Sequence, residues 1–573
     1  MARLAKKSPA RCTDLPLENP DTAQRLDVFR RLLTSCYGPH GALKHIHNNI
    51  GGPSITTSAS QPLLRSASPS HPLLRAVAAA ALGHVSRFGD GGLFAAILCL
   101  ALVDRAGLSG LGKTVSIGIN ACLLDLCTAY LRRDDCGCRV RLDFDSGGDL
   151  VALARSVVCS KPACMLTEPE AQHVSVLAVR AFLLSVPCDA PPGIVRLGRT
   201  VAVSVEGPPV DGSAVYPGLL VEVPDHLGPG REHNFRSHRN NVKTVLFSVS
   251  LSGDLFEDAD MGMLEVDHGT DVESQVLDRL LELGGCVVRD RVGLLVCQKV
   301  VHPVLQQYLV QHDVVVMERL GAALIEPLVE LTGAQPLASL VTTISPEAYG
   351  HARGLSVKHF GSKRMLHLEA PGEAAICTMV LCHRNQTMLS ELKVVCQKAE
   401  QVLRLTLREP SALLGGGCTE THLAAYIRHE GINKVGEATA SLGCSQTEYL
   451  LGVEAFSRSL ESVARALEHN GGASLVDLTH GHHWTVPADM TQAQETNAPP
   501  RCGCGLVRST SVEKWTFLNT NYTEFCPATV PGNTTASQPC VLDCFAAKIN
   551  ALQVAVETAN LLLDIRYIIQ DGN

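Results

Sequence analysis

Asp90 sits between glycines at the mouth of an apolar run, in Arg87-Phe88-Gly89-Asp90-Gly91-Gly92-Leu93. Glycines let a backbone approach a phosphate closely, and amides at a helix start favour anions. The acid between them could hold the cation that accompanies a phosphate. A second stretch offers related chemistry. "GIVRLGRT" fits the G-x-x-x-x-G-K-T pattern, with Gly193, Gly198, Arg199 and Thr200 in register and arginine replacing the lysine. A phosphate loop of that kind follows a strand and opens a helix. Here the following "TVAVSVEG" reads as a strand, so the match reads as chance.

Cysteine and histidine supply the other candidates. Two C-G-C triplets, Cys136 to Cys138 and Cys502 to Cys504, could pair as a metal site. Their spacing lacks the two-residue spacer of zinc knuckles. "THGHHWTV" gathers His480, His482 and His483. Three histidines on a turn can bind metal, and a solvated loop is the plainer reading. Cys418 has His422 nearby, but a cysteine nucleophile needs a third group to orient its base, and none is in view.

Three textures must position these residues. Residues 23–135 carry apolar residues at helical spacing, as in "AQRLDVFRRLLTSCYG" and "KTVSIGINACLLDLCTAYLRR". Residues 200–367 alternate short β-branched runs ("TVLFSVSL", "VGLLVCQKV", "DVVVMERL") with amphipathic helices, which is βαβ patterning. In that region Leu277, Leu280 and Leu281 share one helical face and read as core. Helical texture returns after residue 370. The simplest account is one helical region split by an inserted α/β domain. Residues 488–540 are polar and rich in Pro, Thr and Gly, and read as a surface insertion.

Composition narrows the function classes. The 573 residues exceed one ordinary core, and 46% apolar with 18% charged residues indicates a folded globular chain. A net charge of −8 argues against a nucleic-acid partner, which would need a basic face. The longest apolar run, Leu93 to Val103, is 11 residues, so no membrane span is expected. The 22 cysteines are mostly scattered in apolar segments, which suits reduced thiols in cytosol.

Taken in order, several segments resemble the group II chaperonins. "CYGPHGALKHI" is similar to their first phosphate loop, with Gly38, Pro39, Gly41 and Lys44 in place. "SHPLLRAVAAAALGHVSRFGDGG" resembles the segment ending in their G-D-G-T-T loop, which contributes Gly89, Asp90 and Gly91. "ARSVVCSKP" is similar to the hinge helix, "TGAQPLASL" to an apical strand, and "LLGGGCTETHLAAYI" to the second hinge with Gly415, Gly416 and Gly417. "LDCFAAKINALQVAVETANLLLDI" resembles the C-terminal nucleotide-contacting helix and brings in Asp543.

The resemblance implies a multidomain α/β chaperonin-like fold. A mainly helical equatorial domain would span 1–145 and 411–573, with the 488–540 insertion. A hinge-like intermediate domain would span 146–205 and 368–410, and an α/β apical domain 206–367. It implies ATP with Mg²⁺ as cofactor, Asp90 being the metal acid. Two further family acids orient the attacking water. The second falls on Ala59 and the third on Lys398, with Glu400 two residues on. The expectation is therefore a degenerate ATPase site without catalytic residues. The alternative is an active ATP-dependent subunit in which Glu400 supplies the missing acid. The nearest branch of the family, the Bardet–Biedl chaperonin-like proteins, implies a chaperone for a ciliary coat complex. Its partners would be related chaperonin-like subunits and the cytosolic group II chaperonin, its clients coat subunits, and its location cytoplasm, centrosome and basal body.

Overall fold

The computed structural model describes residues 11–47, 55–67, 69–187, 197–223, 241–253, 272–340, 343–372, 375–469, 473–486, 501–506, 525–527 and 540–570. Two compact units result. One joins Met1–Val179 to Ser390–Asn573; the other is the continuous stretch Arg180–Leu389.

The first unit is built around the Gly92–Ser109 helix, whose residues from Gly92 to Val103 are all buried. A helix apolar on every side has to sit inside other helices. The Pro20–Thr34, Pro72–Phe88, Gln446–Arg465 and Phe545–Asp564 helices supply that surround. Glycines set its limits. Gly89 ends the Pro72–Phe88 helix at φ 82°, and its N–H reaches Val85 O at 2.9 Å. Gly91 at φ 81° then opens the central helix and Gly110 at φ 70° closes it. Ser445 and Glu448 form a reciprocal capping box at the start of the Gln446–Arg465 helix, an arrangement worth about 1 kcal/mol.

The Gly92–Ser109 helix and the following Lys113–Arg132 helix are each long and apolar enough to cross a bilayer, by length and composition. This lengthens the 11-residue run read from sequence. In the structure most of the first helix is packed inside the protein. Leu98 at its middle is fully buried. Leu98→Ala should cost about 2–5 kcal/mol through lost burial and an unfilled cavity, read as a lowered midpoint in chemical denaturation.

Among the described residues four small sheets complete this unit. Ser411–Leu414 lies antiparallel between Arg139–Arg141 and Leu542–Cys544. Arg11–Asp14 pairs antiparallel with Tyr567–Gln570, Thr13 opposite Ile568. Part of the 488–540 segment departs from the expected surface excursion, although Cys526 is exposed. Cys502 and Cys504 are buried, and Phe525 sets its ring edge-on to His422, centroids 5.1 Å apart. Polar composition signalled the loops of this segment and hid the few residues that anchor it.

The second unit follows the βαβ reading. Val242–Phe247, Leu294–Cys297 and Val315–Met317 form a parallel sheet, connected through the Val272–Arg289 and Pro303–Gln311 helices. Leu280 is fully buried in its core beside Leu283 and Leu305. Arg199–Glu206 pairs parallel with Ile376–His383, whose other edge takes Ala214–Pro217. Leu219–Glu222, Gly354–Phe360 and Lys363–Glu369 form an antiparallel sheet.

Candidate functional site

A cavity of about 520 Å³ opens in the helical unit. Three glycine turns meet there. Gly38 and Pro39 follow the Pro20–Thr34 helix, Asp90 and Gly91 precede the Gly92–Ser109 helix, and Gly416 and Gly417 precede the Cys418–Asn433 helix. Gly38, Gly91, Gly416 and Gly417 all have positive φ, the region that disfavours side chains. A Cβ on Gly91 would come within 2.9 Å of His84 Nε2, which is itself hydrogen-bonded to Asp90 O at 2.8 Å. Two helices therefore aim their amino ends at one space, which suits an anion. Asp543 and Lys548 form another wall, from the Leu542–Cys544 strand and the Phe545–Asp564 helix.

The charges are paired across the cavity. Lys548 Nζ contacts Glu420 and lies 2.9 Å from Asp543 Oδ2, with Phe94's ring 4.0 Å beneath it. Burial pushes the Asp543 carboxyl above its ordinary value against the pull of Lys548. Burial opposes the Lys548 charge, but Asp543 and Glu420 outweigh it and hold the ammonium well above its usual range. Lys161 Nζ lies 3.5 Å from Asp90 Oδ1. Burial pushes Asp90 up, yet Lys161, the Gly91 amide and Lys548 together leave it below the usual carboxylate range. Glycine amides, helix starts and two lysines fit a polyphosphate, and Asp90 is an ionised acid fit for its divalent cation.

The TCP-1/cpn60 chaperonin family model matches residues 29–573. The chain belongs to this chaperonin family. It is 45% identical over the full length of both chains to "Molecular chaperone MKKS" of Homo sapiens, and 42% identical to the Mus musculus protein of that name. "Thermosome subunit beta" of Sulfolobus acidocaldarius is 20% identical across 94% of this chain and 88% of its own. The chaperonin resemblance, the mixed helix-and-sheet fold and a chaperone-like character follow.

In this chaperonin-family chain Gly38, Pro39, Asp90, Gly91, Gly416, Gly417 and Asp543 line the cavity. Gly41, Gly89 and Gly415 stand behind it and shape its loops. The Gly41 N–H bonds Gly38 O at 3.1 Å, and the Gly415 N–H bonds Val541 O at 2.8 Å. Ala59 is buried off the cavity, whose lining takes Ser58 and Ser60 on either side of it. The reason is an acid that the sequence reading passed over. Glu391 Oε1 accepts the amides of Ser58 at 2.9 Å and Ala59 at 3.0 Å, and Oε2 accepts the Thr57 hydroxyl at 2.9 Å. This carboxylate caps the start of the Ser60–Ala67 helix from within the protein. Its signal was positional: Glu391 precedes Lys398 by two helical turns, on the same face.

Lys398 is half-buried, its Nζ 3.5 Å from Val85 O. Burial lowers its pKa, while the charge of Asp90 opposes that. A cation thus stands within electrostatic reach of Asp90. Glu400 is committed elsewhere, ion-paired with Arg404 at 2.7 Å one turn along its own helix.

The arginine-bearing phosphate-loop match runs into a strand, as its following residues read in the sequence. Arg199 and Thr200 begin the Arg199–Glu206 strand, in the other unit. Arg199 bonds Glu326 at 2.7 Å, and the Gly198 N–H bonds Ser185 O at 2.7 Å. Gly193 lies outside the described residues. Among the described residues of this stretch, 197–200, the backbone runs into a strand and offers no ring of free amides. Arg199→Ala is expected to leave ATP affinity unchanged in titration calorimetry and to cost under about 1 kcal/mol of stability, as exposed pairs do.

The cysteine and histidine candidates regroup. Cys136 and Cys138 lie beside each other, sulfurs 3.5 Å apart, and do not meet the second triplet. His480 bonds Asp477 at 2.8 Å, His483 lies on Gly416 O at 3.1 Å, and His422 bonds the Tyr130 hydroxyl at 2.7 Å. Cys418 is joined by Cys502, Cys504 and His482 rather than by His422.

Proposed function

We propose that this chain is a chaperonin-like assembly factor that binds ATP and does not turn it over. Its clients would be subunits of a ciliary coat complex. It would act beside related chaperonin-like subunits and the cytosolic group II chaperonin, in the cytoplasm and at centrosome and basal body. The observation that carries the reading is Lys398, half-buried with its ammonium at Val85 O and within electrostatic reach of Asp90. A position that needs a carboxylate to orient water holds a cation, and the neighbouring turn presents Ser58 and Ser60, which are poor bases at neutral pH. Asp90, Lys161, Lys548 and the glycine amides would still hold Mg²⁺ and the phosphates. The metal would neutralise phosphate charge; the chain's own residues would bind and orient it. The reading of an active subunit depended on Glu400, and Arg404 occupies that group.

Steady-state ATPase and equilibrium ATP binding on homogeneous protein test the proposal together. Hydrolysis should sit at background, several powers of ten below a subunit with both acids, while Mg-dependent binding persists and weakens in Asp90→Ala. Robust turnover by the unmodified chain would overturn the reading. Absence of any binding would reduce it to a scaffold. Affinity purification with identification of co-purifying chains tests the partners.

A further inference from the structure

Four side chains from three separate segments converge just behind the glycine loop. Cys418 is the first residue of the Cys418–Asn433 helix, directly after Gly417. His482 opens the His482–Val486 strand. Cys502 ends the Arg501–Cys502 strand, which pairs with His482–Val486, and Cys504 follows after one glycine. Their sulfurs and the His482 Nδ1 all lie within 4.8 Å of one another. Cys418 and Cys502 sulfurs are 3.5 Å apart, Cys502 and Cys504 sulfurs 3.2 Å, and His482 Nδ1 is 3.3 Å from Cys502 and 4.0 Å from Cys504. All four residues are buried, Cys418, His482 and Cys504 completely.

We propose that Cys418, His482, Cys502 and Cys504 form a structural Zn²⁺ site. Four donors on a tetrahedron with Zn–S near 2.3 Å stand about 3.7 Å from each other, and the spacings here scatter around that value. Three thiolates and an imidazole are a soft, nitrogen-and-sulfur set that selects zinc over Mg²⁺ or Ca²⁺. Four closed protein donors leave no open position, so the site is structural and not hydrolytic. Packing does not otherwise call for it, since three cysteines and a histidine from distant segments gain little by mutual burial beyond what aliphatic residues would give.

The backbone around the cluster is shaped to bring the donors together. The Gly503 N–H bonds His483 O at 2.8 Å, and the Val541 N–H bonds Cys504 O at 2.9 Å. A Cβ on Gly503 would fall 2.1 Å from Gly416 O, and one on Gly416 would fall 2.2 Å from Gly503 O. The C-G-C turn and the second phosphate loop therefore touch backbone to backbone. Zinc here would staple the 488–540 segment to the loop that lines the nucleotide cavity, whether or not that cavity binds ATP. Binding would release the thiol protons, so zinc affinity would fall as pH drops.

The test is elemental analysis of the full chain purified under reducing conditions without added chelator. One zinc per chain is expected, falling to background in Cys504→Ser and unchanged in Cys136→Ser, whose sulfur lies outside the cluster. Should Cys504→Ser fail to fold, exchange of the unmodified chain with Co²⁺ decides the matter. A tetrahedral S₃N site gives intense visible ligand-field bands and a near-ultraviolet thiolate charge-transfer band. Folded unmodified protein with neither zinc nor those cobalt bands would overturn the proposal. So would a reduced protein whose Cys502 and Cys504 map to a disulfide, or zinc retained in full by a folded Cys504→Ser.

Discussion

Lys548→Met should destabilise the helical unit by about 3–5 kcal/mol at neutral pH, the range found when one partner of a buried ion pair is removed. Methionine matches the stem's volume, so the deficit isolates the charge. What remains is Glu420, which is almost fully buried, and Asp543, both deprived of the ammonium they share. The pH dependence fixes the cause. In the unmodified chain the native state already holds the Asp543 proton more tightly than an unfolded chain does. Between the ordinary carboxyl value and the raised one, the folded state binds more protons. Stability there falls as pH rises, and levels off above the raised value. Without Lys548 the native carboxyl pKa rises further, so the falling interval extends toward neutrality. Chemical denaturation at mildly acid and at neutral pH should show a small deficit in acid that widens with pH. An equal deficit at both would place the cost in packing. ATP affinity should fall in the same variant, because the ammonium lines the cavity.

Gly503→Ala and Gly416→Ala should each displace the Gly415–Gly417 loop and, on the proposed function, lower ATP affinity about tenfold or more, equivalent to about 1.4 kcal/mol. The new Cβ in either case would lie closer than 2.3 Å to a carbonyl oxygen of the other glycine. Overpacking of this kind costs about 1–3 kcal/mol of stability. Gly416→Ala adds a left-handed backbone at φ 64°, roughly another 1–2 kcal/mol. One contact is damaged in both variants. The double variant should therefore cost clearly less than the sum of the two, in thermal or chemical unfolding. Strict additivity would show that the two turns do not share a contact in solution.

Local signals made the helical frame and the Asp90 turn legible. A continuous apolar run gave the Gly92–Ser109 helix, and the glycines around Asp90 gave the turn that starts it. The βαβ order of the second unit followed from β-branched runs that the sheet buries on both faces. What stayed hidden was assembled from afar. Cys418, His482 and Cys502 are separated by tens of residues, and no spacing rule links a helix start to two strand ends. The pairing of the two C-G-C triplets was a guess from likeness, whereas the strand register of Trp484 opposite Cys502 is what places the ligands. The role of Glu391 is fixed by the turn it caps rather than by its neighbours in sequence. A carboxylate that caps a helix from inside leaves no motif.

The order of the chain also sets an order of events. Arg180–Leu389 is one uninterrupted stretch and can complete its contacts while ribosomes are still adding residues behind it. The surrounding unit cannot. Its central Gly92–Ser109 helix is covered by Phe545–Asp564, and the Arg11–Asp14 strand waits for Tyr567–Gln570. A helix apolar on all sides must therefore stay without its last cover until nearly the whole protein has emerged. At synthesis rates of about 5–20 residues per second, that exposure lasts tens of seconds. A premature stop before residue 545 would leave it permanent, so such a fragment should be captured by holding factors or aggregate even though its inserted α/β unit is whole. A protein that belongs to the chaperonins thus begins its own life with a long interval of dependence on others.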